Sequence, residues 1–340
     1  MSSSPAAIRE FPASDAAAIR REVLSAGHPC VLRGLVTDWP VVVAGRRSPA
    51  ALIEYLARFD SGKPVDAIMT PPEVAGRIFY NDTVTGFNFL RNRLPIAKVA
   101  EQVLRYSQFE RPPAVAAQSA LIAECLPGFG AENPLALLDA RVQPRIWLGN
   151  AITTPTHLDE WNNIGCVVCG RRRFTLFPPG QIGNLYIGPL DFAPTGAPMS
   201  LVQLHAPDFT RFPKFRAALG AAVSAELGPG DALFIPPLWW HHVESLEPVN
   251  MLVNYWWHAA GGSDIGVASG FDALLHAILD LRTLSASDRA AWAALFEYYV
   301  FGSQDGVTDH IPTQRQGILG ALTAEDIGRV RAALAQRLKT

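Results

Sequence analysis

The chain has few cysteines: Cys30, Cys125, Cys166 and Cys169 are the only four in 340 residues. That number excludes a disulfide scaffold at this length. No stretch approaches the ~20 apolar residues of a membrane-spanning helix. The opening Met1–Pro5 has no basic start followed by an apolar run, so no secretory signal is expected. The expected location is a reduced, cytoplasmic compartment, with no membrane partner. A basic excess is missing as well: 29 Lys+Arg stand against 31 Asp+Glu, a net charge of -2. Nucleic-acid binding needs a basic stripe, so no nucleic-acid partner is expected. What remains is an ordinary globular balance, 49% hydrophobic and 18% charged. Such a chain can build one large β domain with a smaller appendage.

Residues 12–26 read as an amphipathic helix capped by Ser14 or Asp15. Cys30–Gly34 reads as a short strand. Residues 50–58 and 95–107 read as helices. The stretch 110–135 carries Pro112, Pro113, Pro127 and Gly128 and reads as a wrapping loop. From 143 to 257, short β-rich runs alternate with Pro/Gly turns: PRIWLGN, NIGCVVCG, RFTLFPPG, DALFIPP and NMLVNYWW. That rhythm predicts a sandwich or barrel and argues against a parallel βαβ sheet. Residues 205–220 interrupt it as an insertion. After Gly261-Gly262 the pattern turns helical over 270–284 and 287–300. A last helix starts at Thr323, with Asp326 completing a capping box. The expected division is a mainly β domain over 1–260, its core at about 115–257, and a helical region over 261–340. The helices would pack on the β core or form a dimer interface.

His157-Leu158-Asp159 is the central motif. Alternate residues of a strand share a face, so the imidazole and the carboxylate point together. A third ligand comes from His241 or His242 in PPLWWHHVES; only one of these neighbours can reach the same face. Two imidazoles and one carboxylate form the facial triad of non-haem iron(II) oxygenases, which leaves positions open for an oxo-acid and O₂. Trp239 and Trp240 are expected to wall the site. Cys166 and Cys169 have the spacing of half a zinc site, but a second pair is absent. Alternation turns their sulfurs to opposite sides, so they read as core residues. Phe79, Tyr80, Asn81 and Asp82 precede the β region and either shape a substrate mouth or, for Phe79, sit in the core.

An oxo-acid needs a cation for its far carboxylate. In Arg171-Arg172-Arg173, alternation sets Arg172 on one face and its neighbours on the other. Asn254 lies in the apolar run MLVNYWW, and an unpaired buried amide costs ~1–3 kcal/mol, so it faces a polar pocket. Asn163 and Thr154 are further polar candidates beside the motif.

Together these residues resemble the Jumonji C and cupin-like oxygenases, among them the asparaginyl hydroxylase that acts on hypoxia-inducible factor. The matching stretches are TPTHLDEWNNIGCVVCGRRRFTLFPP, PDFTRFPKF, GDALFIPPLWWHHVES and MLVNYWW, with VLRGLVTDWP as an entry strand. The resemblance spans most of residues 10–258. It implies a double-stranded β-helix, a jelly-roll-like barrel. It implies His157, Asp159 and His241 as catalytic metal ligands for Fe(II), with the histidine directly after Trp-Trp favoured over His242. It implies Thr154, Asn163, Arg172 and Asn254 as the binding positions for the co-substrate 2-oxoglutarate. Relatives of this type carry Lys where this chain has Arg172, and a tyrosine expected near Val115 has no counterpart.

The implied activity is a 2-oxoglutarate-dependent dioxygenase that hydroxylates a protein or peptide side chain, with a homodimer through the C-terminal helices. Two other readings stand beside it. One is a catalytically weak cupin-fold binding protein, since a fold does not fix an activity. The other is a metal-dependent cupin enzyme that does not use 2-oxoglutarate, which Asn163, Arg172 and Asn254 argue against.

Overall fold

In the computed structural model, which describes residues 5–13, 15–194, 196–258, 270–303 and 305–338, the β-rich stretch forms two facing sheets. In chain order the strands are β1 (Ala6–Ala7), β2 (Glu10–Pro12), β3 (Cys30–Arg33), β4 (Val65–Thr70), β5 (Leu90–Leu94), β6 (Ala114–Leu121) and β7 (Pro144–Gly149). They continue as β8 (Thr153–His157), β9 (Asn162–Cys169), β10 (Arg172–Phe177), β11 (Val223–Leu227), β12 (Ala232–Ile235), β13 (Trp240–Ser245) and β14 (Asn250–Trp257). Nine strands pair in the order β2-β3-β12-β9-β14-β7-β6-β4-β5, and five in the order β1-β11-β10-β13-β8. From β7 to β10, and again from β11 to β14, the chain alternates between the sheets. The pairs among these eight strands are antiparallel. This is the winding of a double-stranded β-helix, a cupin-like fold, with the two sheets not closed edge to edge.

Apolar strand faces dictate the packing. Val31, Val167, Leu233 and Leu252 of the large sheet meet Phe174, Leu176 and Leu227 of the small one, and plug one end of the space between them. The outer face of the large sheet is covered by helices Pro40–Arg47, Pro49–Ala57 and Ile96–Tyr106. The last of these buries Ile96, Val99, Ala100 and Val103, at helical spacing. Each large aliphatic side chain so buried contributes ~1.5–3 kcal/mol. β9 lies mid-sheet and is buried along its whole length, which fits the apolar run from Cys166 to Cys169.

Some expectations need correction. Residues 110–135 are not a loop: β6 runs through them between β4 and β7, followed by short helices Ile122–Cys125 and Phe129–Glu132. Alanine disguised the strand. Its own β preference is low, and pairing on both edges supplies the order instead. The first helix begins at Ala16, because Glu10–Pro12 pairs with β3. Asp15 caps it by accepting from the Ala17 and Ala18 amides, while Ser14 lies outside the described residues. Cys166 and Cys169 do not face apart: the register slips between Met251 and Leu252, and both cysteines join one apolar cluster. All four cysteines are free and buried. The insertion between β10 and β11 spans residues 178–222, longer than the expected 205–220.

The chain divides into two compact units, residues 1–267 and 268–340. The expected boundary at 260/261 lies outside the described residues. The second unit holds helices Gly270–Leu281, Ala286–Phe296 and Ala324–Arg337, the last opened by the Thr323–Asp326 capping box. None of these three helices buries a residue. No helix among the described residues is long and apolar enough to cross a membrane.

Candidate metal centre

His157 ends β8, and its Cα partner across the ladder is His241 near the start of β13. Their ring centroids lie 4.2 Å apart. Asp159 sits just past the strand, where its carbonyl accepts from the Leu238 amide at 2.8 Å. One ligand atom from each of His157, Asp159 and His241 falls within 4.8 Å of the others. The imidazoles are aimed by their other nitrogens: His157 Nδ1 bonds to Pro155 O at 2.8 Å, and His241 Nδ1 to Trp239 O at 3.0 Å. That leaves Nε2 of each ring for a metal, the usual arrangement for a ligating histidine. His241 Nε2 is already 3.5 Å from Asp159 Oδ2. Burial, and next the neighbouring His241, push the His157 pKa down to about 4, so its ring is neutral and its lone pair free near pH 7. Two nitrogens and one carboxylate, without a fourth ligand among the described residues, fit a metal that keeps positions open for other molecules.

The carboxylate is held in turn. Asp159 Oδ2 accepts from Asn163 Nδ2 and from Trp256 Nε1, each at 3.0 Å. Asn163 Oδ1 accepts from Asn254 Nδ2 at 3.2 Å, and Asn254 Oδ1 from Trp147 Nε1 at 2.8 Å. A chain of donors thus runs from Trp147 to the carboxylate. Each polar group in it is satisfied, which fixes the geometry.

A cavity of about 50 Å³ adjoins the three ligands, and Thr154, Asn163, Arg172 and Asn254 all line it. Arg172 is 8% exposed, and its Nε has no hydrogen-bond partner. Burial lowers its pKa to about 10, so it remains charged at neutral pH. Its neighbours are spent elsewhere: Arg171 bonds Glu247 at 2.8 Å and also Glu226, and Arg173 lies 3.5 Å from Glu226. A buried cation without a counter-charge is costly, and a carboxylate entering the cavity would relieve it.

His242 turns the other way. It is buried, its Nδ1 is unbonded, and burial pushes its pKa down to about 3. It lines a separate cavity of about 370 Å³ together with Phe79, Tyr80, Asn81 and Asp82. Those four residues therefore line a cavity that does not contain the triad. Trp239 and Trp240 do not wall the site as expected. Trp239 joins the cluster between the sheets and Trp240 the cluster beneath the insertion. The walls are instead Trp147, Phe174, Ile235, Leu252 and Trp256. Trp147 and Trp256 escaped sequence reading, although strand alternation puts Trp256 on the face of Asn254.

The model of a cupin-like domain matches residues 16–263. The chain belongs to the cupin-like domain family. Among relatives of this cupin-like protein, the human HSPB1-associated protein 1 is 40% identical over 113 residues, 33% of this chain and 22% of its own length. Lysine-specific demethylase JMJ31 of Arabidopsis thaliana is 34% identical over 125 residues, 36% of this chain and 22% of its own. JmjC domain-containing protein D of Dictyostelium discoideum is 25% identical over 257 residues, 72% of this chain and 53% of its own. The cupin-like chain therefore spans between about a fifth and a half of these relatives' lengths.

Proposed function

We propose that this protein is an iron(II)- and 2-oxoglutarate-dependent oxygenase that hydroxylates a side chain of a protein or peptide. One observation carries the reading: the buried Arg172, whose Nε has no partner among the described residues, lines the same small cavity as the three-ligand group. The three ligands alone suit several cupin chemistries, but the added cation fits an oxo-acid with a second carboxylate. Bound there, iron(II) and 2-oxoglutarate supply an oxidant that inserts one oxygen atom of O₂ into a C–H bond, with succinate and CO₂ released.

The chain's own groups do the rest. His157, Asp159 and His241 would hold the metal, and the Pro155 and Trp239 carbonyls keep both rings in register. Asn163 and Trp256 orient the carboxylate. Arg172 would take the distal carboxylate, with Thr154 and Asn254 beside it. Phe174, Ile235 and Leu252 keep the cavity apolar and exclude water.

Relatives named for lysine demethylation and for association with HSPB1 support a protein or peptide as the substrate. A second copy of the chain is the proposed partner for the apolar helices of residues 268–340. Four free thiols suit a reducing, cytoplasmic setting.

The test is succinate release by purified protein given Fe(II), ascorbate, O₂ and 2-oxoglutarate, with His157→Ala as control. Succinate that vanishes in the variant supports the reading. Absence of succinate, together with no 2-oxoglutarate binding by anaerobic calorimetry, overturns it.

A further inference from the structure

Arg145 stands on the inner face of β7, the face that carries Trp147. Trp147 pairs with Leu252 in the apolar plug, whereas Arg145, two residues nearer the metal-ligand end, pairs with Asn254. Its guanidinium carbon lies 5.7 Å from the centroid of the Trp256 ring, and Trp256 is the residue whose indole N–H holds Asp159. The cation is thus one ring away from the three ligands.

Its placement is built into the backbone. Arg145 Nη1 donates to Ser119 O at 2.8 Å. Ser119 has φ +46° and lies where the β6–β7 register slips between Ala117 and Ala120. A non-glycine residue in the left-handed region costs ~1 kcal/mol or more and persists only where its surroundings enforce it. Meanwhile Arg145 Nε is enclosed and has no hydrogen-bond partner. Among the described residues, no carboxylate bonds to this guanidinium; burial lowers its pKa, and the nearby Glu124 carboxylate opposes that only in part. A half-buried, positioned and incompletely paired guanidinium is a receptor for a carboxylate, which it grips with two parallel N–H donors.

We propose that Arg145 determines substrate specificity by binding a carboxylate next to the oxidised position, so that the preferred substrate is an acidic peptide. The proposal rests on the oxygenase reading above. A residue spans ~3.5 Å of extended chain, so the acidic residue is the immediate neighbour, or next neighbour, of the oxidised one.

The experiment uses two pools of fluorescein-labelled nonapeptides, random except for Glu or Gln on both sides of the centre. Each is titrated under nitrogen into protein loaded with Fe(II) and 2-oxoglutarate, and binding is read by anisotropy. The Glu pool is expected to bind about tenfold more tightly, the usual order for one charge-assisted pair. That preference falls to within about twofold in Arg145→Gln and partly returns in Arg145→Lys. Melting temperatures check the fold, and Arg145→Met replaces the Gln variant if that is unstable. Equal binding of the two pools by wild type, or a Glu preference that survives in the folded variant, overturns the proposal. Calorimetry on the same samples separates the two ideas. Wild type that binds 2-oxoglutarate but ignores Glu removes this proposal alone, whereas wild type that does not bind 2-oxoglutarate removes the oxygenase reading and this proposal with it.

Discussion

Trp256 donates its indole N–H to Asp159 Oδ2 across 3.0 Å. A hydrogen bond to a ligating carboxylate fixes which lone pair faces the metal, and losing such a bond typically weakens metal binding 10–100-fold. Trp256→Phe keeps an apolar wall and removes only the donor. It is expected to raise the Kd for Fe(II) or Mn(II) about tenfold, measured by anaerobic calorimetry. An unchanged Kd would mean that Asn163 alone orients the carboxylate.

Arg172 separates co-substrate binding from stability. Arg172→Met removes a buried charge that has no partner among the described residues. The variant is expected to bind the metal normally and lose 2-oxoglutarate affinity by ~100-fold. Its unfolding free energy should hold or rise by ~1–3 kcal/mol, because an uncompensated buried cation is destabilising. A variant that unfolds more easily while still binding 2-oxoglutarate would assign Arg172 a structural role instead.

His241 and His242 are adjacent in sequence yet face different cavities. His241→Ala should abolish stoichiometric metal binding. His242→Leu, which fills the same space without an unbonded Nδ1, should still bind one metal ion per chain. Metal content after dialysis, by atomic emission, decides between them. Metal loss in the His242 variant would contradict the assignment.

Acid should destabilise the metal-free protein. The folded state holds His157 and His242 neutral, with pKa values pushed by burial to about 4 and about 3, whereas the unfolded chain titrates near ~6.5. The unfolded state therefore takes up protons first. Stability contributed by these neutral rings is complete above pH ~6.5 and is lost as pH falls towards those folded values. Urea midpoints for the metal-free protein should drop from pH 7 to pH 5, and drop less steeply in His242→Leu. A flat profile would refute the burial account.

The site was more legible than the scaffold. His157 and Asp159 stand out because metal chemistry restricts residue type and spacing, whereas spacing left His241 and His242 open and only the family resemblance chose His241. Arg172 follows from alternation with two neighbours that find surface carboxylates. β6 did not, since Ala114–Ala117 owe their strand geometry to β4 and β7, elements distant in sequence. The facing of Cys166 and Cys169 was hidden by a one-residue register slip, which no side-chain pattern encodes. Trp239 and Trp240 were misplaced for a related reason. Adjacency to a ligand fixes position along the strand, but the pleat and the turn before β13 decide which side each ring occupies.

The helices of residues 268–340 carry the proposal of a second copy. Leu295, Tyr299 and Phe301 are 48%, 45% and 71% exposed, and Trp292 is 44% exposed. Isolated helices of this length are marginal in water and owe their stability to packing of an apolar face. Clustered exposed apolar side chains of this kind commonly mark protein–protein contacts. Light scattering at micromolar concentration should give twice the 36.9 kDa chain mass. Leu295→Glu with Phe301→Glu should return the single-chain mass and leave metal binding within twofold of wild type, since the three ligands belong to the other unit. Wild type that runs as one chain at tens of micromolar would exclude the homodimer, and a variant that stays dimeric would move the interface off this face.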